Sequence, residues 1–249
     1  TVLVSSDDQA LRVSNRLSRS RARIGALTLV CGLGNTSFVG YPMLEALQGR
    51  EGLALGVVAD TYAHNVRQGR IDEAEAAARR ARIAKAADYP ALADVDLVIE
   101  AVYENLELKQ KIFRELDDIV QPAGILASNT SALDIDAIAA VTKRPEQVVG
   151  LHFFSPANVM RLLEVVRGER TSDEVLAAAM AIGKQLKKVS VVVGVCDGFV
   201  GNRMVFQYGR EAEFLLEEGA TPQQVDAALR NFGMAMGPFA MREIGRAHV

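Results

Sequence analysis

Residues 94–131 read DVDLVIEAVYENLELKQKIFRELDDIVQPAGILASNTS. The first nine residues are a β-branched apolar run, the composition of a strand buried on both faces of a parallel sheet. The next sixteen, 105–120, carry apolar residues at helical spacing and stop before Gln121-Pro122, where a helix ends readily. GILASNTS at 124–131 is a second strand followed by a turn. Strand, helix and strand at this spacing form a right-sized parallel crossover unit.

The same alternation continues on both sides. DEAEAAARRARIA at 72–84 is rich in helix formers and predicts a helix. ALTLV at 26–30 predicts a strand upstream. Downstream, LDIDAIAAV predicts a short helix, QVVGLHFFSP at 147–156 and RLLEVVRG at 161–168 predict strands, SDEVLAAAMAIGKQLKK at 172–188 a helix and VSVVVGV at 189–195 a strand. The fold class expected is α/β, a Rossmann-like, mainly parallel sheet with helices on both faces. After Gly194 the texture becomes helical, and Thr221-Pro222 opens a new helix with Pro in its first turn. The expected division is a linker or artefactual segment over 1–25, a nucleotide-binding domain over 26–196, a truncated helical domain over 197–242 and a non-native tail, EIGRAHV, over 243–249.

Composition excludes several function classes. A net charge of −3 argues against nucleic acid as the main partner. The basic cluster RLSRSRAR at 16–23 reads as a solvated linker. No apolar run approaches the ~18 residues of a membrane span. Two cysteines, Cys31 and Cys196, make no disulfide framework. No metal site is expected.

Setting aside the tail and its His248 leaves two histidines. His64, in DTYAHNVRQG, is expected on an exposed helix face. His152 closes a buried strand, and ligands of open parallel sheets bind beyond the carboxyl ends of strands. A histidine there can act as a general base. Glu164 lies in the next strand with apolar neighbours on both sides. A buried carboxylate is costly unless paired, and pairing with His152 removes that cost. SNTS at 128–131 brings hydroxyls and an amide to the same sheet edge, and Asn202 and Arg203 open the first helix after the boundary.

Together, ILASNTSALDI, VVGLHFFSPANVMRLLEVVRG, CDGFVGNRM and FLLEEGATPQQVDAALRNFGMAMGPFAM, with the opening stretch, resemble the L-3-hydroxyacyl-CoA dehydrogenase family of fatty acid β-oxidation. The likeness covers residues 65–242 and is greatest to the dehydrogenase portion of multifunctional enzymes. The resemblance implies NAD as cofactor, an acyl-CoA substrate and oxidation of an L-3-hydroxyacyl-CoA to the 3-ketoacyl-CoA. It implies an enoyl-CoA hydratase domain upstream and a homodimer formed through the helical domain. The compartment expected is the cytoplasm in a bacterium, and the peroxisome or mitochondrion in a eukaryote. Carried over by position, His152 is the catalytic base and Glu164 its paired acid. Ser131 and Asn202 contact the substrate, and Glu104 and Lys109 contact the cofactor.

One stretch departs from the pattern. CGLGNTSFVGYPMLE at 31–45 begins like a dinucleotide loop, but Ser37 replaces the third glycine. Glu45, the match for the ribose-binding acid, follows Gly32 by 13 residues (45 − 32), against the ~20 expected. Asp60 is an alternative acid at 28 residues (60 − 32), in a stretch that reads as helix. Gly32, Gly34 and Glu45 are therefore cofactor candidates on a crossover too short for its helix. A shortened crossover and a shifted reading frame over residues 1–40 both fit. So does a third account, a non-catalytic remnant that folds without NAD.

Overall fold

The computed structural model describes residues 2–6, 23–27, 60, 62–81, 83–86, 88–154, 157 and 160–246. Gly32, Gly34 and Glu45, with Cys31 and His248, lie outside them.

The strands are β1 (Val2–Ser6), β2 (Arg23–Leu27), β3 (Ile83–Ala86), β4 (Leu97–Glu100), β5 (Ile125–Ser128), β6 (Val148–Phe153), β7 (Leu162–Arg167) and β8 (Val189–Gly194). The helices are α1 (Glu73–Arg80), α2 (Leu106–Ile119), α3 (Ile135–Ala139), α4 (Asp173–Gln185), α5 (Gly201–Glu217), α6 (Pro222–Phe232) and α7 (Pro238–Arg246). One sheet runs in the order β3-β1-β2-β4-β5-β6-β7-β8. The ladders β2–β4, β4–β5, β5–β6 and β7–β8 are parallel. Those of β1 with β2 and β3, and of β6 with β7, are antiparallel.

Both faces of the central strands β4 to β7 are covered, as their apolar runs require, whereas Val189, Val191 and Val192 of β8 stay exposed. Alternate residues along each strand enter different cores. Val98, Leu126, Val148 and Val166 pack with Ile112, Phe113 and Leu116 of α2 and with Ile135 and Ile138 of α3. Leu97, Ala127, Val149, Leu151 and Val165 pack with Val175, Ala179 and Ile182 of α4 on the other face. Helix α2 starts where Asn105 Oδ1 accepts the Leu108 N–H at 2.9 Å, an ordinary N-cap. Ser172 caps α4 in the same way, accepting from Val175 N.

Three local expectations are corrected. The helix expected over 72–84 ends at Arg80, and Ile83–Ala86 instead pairs with β1. Ala/Arg composition favours a helix, but Ile83–Ala86 takes its backbone partners from β1, a strand 77 residues away (83 − 6). The strand expected at 26–30 begins earlier, at Arg23, and Val2–Ser6 is also a strand, so part of the stretch read as a linker belongs to the sheet. At the other end α7 continues to Arg246, into the residues read as a tail. Helices α5 to α7 follow the sheet as expected. In α6, Thr221 and Gln224 form a capping box and Gly233 closes the helix at φ 116°, the left-handed position that favours glycine. His64 lies in the helical residues 62–67 and is exposed, and Asp60 is exposed as well.

Candidate active site

Residues His152 and Glu164 are register partners across the antiparallel β6–β7 ladder. Opposed side chains share a face of the sheet, and here Nδ1 of His152 stands 2.8 Å from Oε2 of Glu164. The ring is 4% exposed overall and the carboxylate 0%. With Nδ1 engaged, the second ring nitrogen, Nε2, is left to face a reacting group. Two aromatic rings flank the imidazole: Phe154 at 4.4 Å and Phe199 at 5.7 Å between centroids, both tilted.

The other oxygen of the carboxylate, Oε1, accepts the backbone N–H groups of Val200 at 3.0 Å and Gly201 at 2.8 Å. These open α5, whose N-cap makes no side-chain bond of its own. Just before them Gly198 and Phe199 take left-handed conformations, φ 67° and 50°. Such a backbone is uncommon for a bulky residue and marks a constrained turn.

The SNTS turn follows β5 and is held from three directions. Ser128 Oγ donates to Glu100 Oε2 at 2.7 Å. Asn129 Oδ1 accepts the Phe153 N–H at 2.9 Å, tying the turn to the end of β6 beside His152. Thr130 Oγ1 and the Ser131 N–H donate to Glu104 Oε1 at 2.5 and 2.8 Å. Asn202 Nδ2, from the first turn of α5, donates to the Ser131 carbonyl at 3.2 Å. So Ser131, Asn202, His152 and Glu164, spread over 72 positions (202 − 131 + 1), share one connected region.

Glu104 and Lys109 also belong together, but differently from each other. Glu104 is half-exposed at the sheet edge, whereas Lys109 is fully buried beneath it. The Lys109 ammonium lies 2.8 Å from Glu100 Oε1 and 3.4 Å from Glu104 Oε2. Sequence reasoning missed Glu100. It ends β4, is 0% exposed, and also accepts the Val102 N–H. The signal was present: a glutamate inside the apolar run DVDLVIEAV, with a lysine nine positions on. Phe154 and Phe199 were missed too, because an aromatic residue beside a histidine reads as core.

Lys188 holds the segment after β6. Its Nζ donates to the carbonyls of Ala157 and Met160 and stands 5.8 Å over the Phe153 ring. Burial pushes its pKa below the usual lysine value. Among the described residues, no group of three or more His, Cys, Asp or Glu could hold a metal ion, and no helix is long and apolar enough to cross a membrane.

The family model described as 3-hydroxyacyl-CoA dehydrogenase, NAD binding domain, matches residues 43–196, and the model of the C-terminal domain of that enzyme matches 198–245. A peroxisomal bifunctional enzyme of Danio rerio is 62% identical over 153 residues, covering 61% of this chain and 21% of the relative. A peroxisomal fatty acid beta-oxidation multifunctional protein of Arabidopsis thaliana is 44% identical over 190 residues, 76% of this chain and 26% of the relative. The chain thus spans about a fifth to a quarter of the length of these curated relatives. The crystal structure of an (S)-3-hydroxybutyryl-CoA dehydrogenase from Ralstonia eutropha superposes with a TM-score of 0.74 at 35% identity, covering 80% of this chain and 75% of that one. The chain belongs to the 3-hydroxyacyl-CoA dehydrogenase family.

Proposed function

We propose that the chain carries the dehydrogenase step of fatty acid β-oxidation, oxidising an L-3-hydroxyacyl-CoA to the 3-ketoacyl-CoA. One observation supports this reading above the others: a buried imidazole 2.8 Å from a buried carboxylate, in a region shared with Ser131 and Asn202. As the 3-hydroxyl is oxidised, His152 Nε2 accepts its proton. Glu164 keeps Nδ1 as the donor and offsets the positive charge that develops on the ring. Ser131 and Asn202 orient the substrate oxygen and favour the forming carbonyl.

The described part of the cofactor face fits NAD. Parallel strands β2, β4, β5 and β6 present their carboxyl ends together, and Glu104 and Ser131 are exposed there, where dinucleotides bind in such sheets. Glu104 would meet the cofactor, with the buried Lys109 setting its position, and Gly32, Gly34 and Glu45 would take the phosphates and ribose. NAD, when bound, supplies the hydride acceptor. We place the nucleotide-binding unit over the sheet and its helices, with β2 starting at Arg23, up to residue 196, and the helical unit from 197. In the whole polypeptide we infer an enoyl-CoA hydratase domain upstream, pairing of two copies through the helical domain, and a peroxisomal setting, in keeping with the bifunctional and peroxisomal relatives.

The test is to titrate NADH into the chain and then follow acetoacetyl-CoA reduction. Saturable binding with turnover that His152→Gln abolishes is the expected result. A folded chain that binds no NADH sinks this reading and establishes a non-catalytic remnant.

A further inference from the structure

We propose that the first turn of α5 positions the catalytic pair, its backbone amides holding one oxygen of Glu164 so that the other is aimed at His152. This rests on the dehydrogenase reading for its functional half.

The opening N–H groups of any helix have no partner within it. In α5, a helix of 17 residues, the N-cap Val200 offers no side-chain acceptor. Glu164, 36 and 37 positions back in the chain, accepts the Val200 and Gly201 N–H groups in its place. A carboxylate at a helix N-terminus is favourable on charge as well. Because Glu164 is fully buried, water cannot substitute for either set of partners. Its two oxygens are therefore assigned: Oε1 to α5 and Oε2 to the imidazole. Rotating the carboxylate to improve one contact breaks the other.

Two further contacts converge on the same turn. Asn202 donates to the Ser131 carbonyl. A Cβ on Gly201 would come within 2.5 Å of the Phe154 ring, which flanks the imidazole. The left-handed turn at Gly198 and Phe199 is what aims the amides at Glu164. The start of the helical unit is thus part of the apparatus that orients the base, although it supplies no acid or base of its own.

Hydrogen exchange tests the first half without any turnover. The Val200 and Gly201 amides lack a helical acceptor, so their protection reports Glu164 directly. His152→Gln should leave it unchanged. Glu164→Leu should speed exchange at both amides at least about tenfold, while amides in the later turns of α5 stay protected. Unchanged exchange at 200 and 201 in a Glu164→Leu chain whose α5 remains protected overturns the proposal.

The second half uses the unsubstituted side chains. Replacing the Val200–Gly201 amide by an ester, in a chain joined by ligation at Cys196, removes the Gly201 N–H, sets an ester oxygen in its place and weakens the Val200 carbonyl that accepts the Met204 N–H, with every side chain kept. The expected outcome is a kcat lower by about 10²-fold, with KM for the acyl-CoA within about twofold, and a shifted proton resonance at His152 Nδ1. An unmoved resonance overturns the positioning role, even where Glu164→Leu does not fold. Absence of turnover in every chain, with the exchange and resonance effects present, sinks the dehydrogenase reading alone.

Discussion

Asn129 and Phe153 join the two loops that carry the site: the Asn129 side-chain oxygen accepts the Phe153 N–H at 2.9 Å. The SNTS turn is thereby fixed to the residue next to His152. One hydrogen bond across neighbouring strands β5 and β6 thus links the substrate-facing turn to the strand that carries the base.

The His152–Glu164 pair should dominate turnover. His152→Gln or Glu164→Gln is expected to lower kcat by ~10²–10⁴, measured as NADH consumption with acetoacetyl-CoA in a chain whose melting temperature is confirmed. Near-normal turnover in either variant would remove the pair from the mechanism.

The Glu100–Lys109 ion pair is a stability element first. Lys109→Met leaves Glu100 buried beside Glu104 with no cation between them. Breaking a buried pair on one side costs about 3–5 kcal/mol. Urea unfolding should show that loss as a lower midpoint at unchanged slope. A loss below about 1 kcal/mol would mean that water reaches the pair, as for surface salt bridges.

Gly150 sets the spacing of the catalytic hairpin. It faces Val166 across the β6–β7 ladder, and a Cβ added there would stand 2.6 Å from the Val166 Cβ. Gly150→Ala must push the strands apart two residues before His152. The expected cost is about 1–3 kcal/mol of stability, with a fall in kcat larger than in Phe153→Leu. Thermal melts and steady-state kinetics on the two variants decide it.

Gly237, in the MGPF segment, is needed for α7 to meet α6. Asp226 accepts the Phe239 and Ala240 N–H groups, both at 3.0 Å, and caps α7 from a neighbouring helix. A Cβ on Gly237 would lie 2.2 Å from Asp226 Oδ1 and 2.5 Å from its Cα. Gly237→Ala should therefore displace α7, whereas Asp226→Ala should remove only the cap, about 1 kcal/mol. Circular dichroism melts that rank the two in the opposite order would refute this packing.

The sequence disclosed those parts of the fold in which local signals agree. The apolar face of α2 and the stop at Gln121-Pro122 both pointed to one helix, and the helix is there, from Leu106 to Ile119. The direction of β7 was not legible, because an apolar run such as RLLEVVRG reads the same in parallel and antiparallel ladders. The end of α1 at Arg80 was not legible either, because alanine and arginine carry no mark of a strand partner far away in the chain. In the site, Glu164 was found by asking where a carboxylate among apolar residues finds its partner. The same question put to Glu100 leads to Lys109, nine positions on. The backbone donors of Val200 and Gly201 had no residue-type signal at all, since every amino acid but proline supplies one.

The antiparallel step between β6 and β7 separates two duties that evolution must often change independently. Ladder register, not the connecting segment, keeps His152 opposite Glu164. Beyond Phe154, whose ring flanks the imidazole, the segment that joins the two strands can therefore change in sequence while the proton-handling pair stays intact.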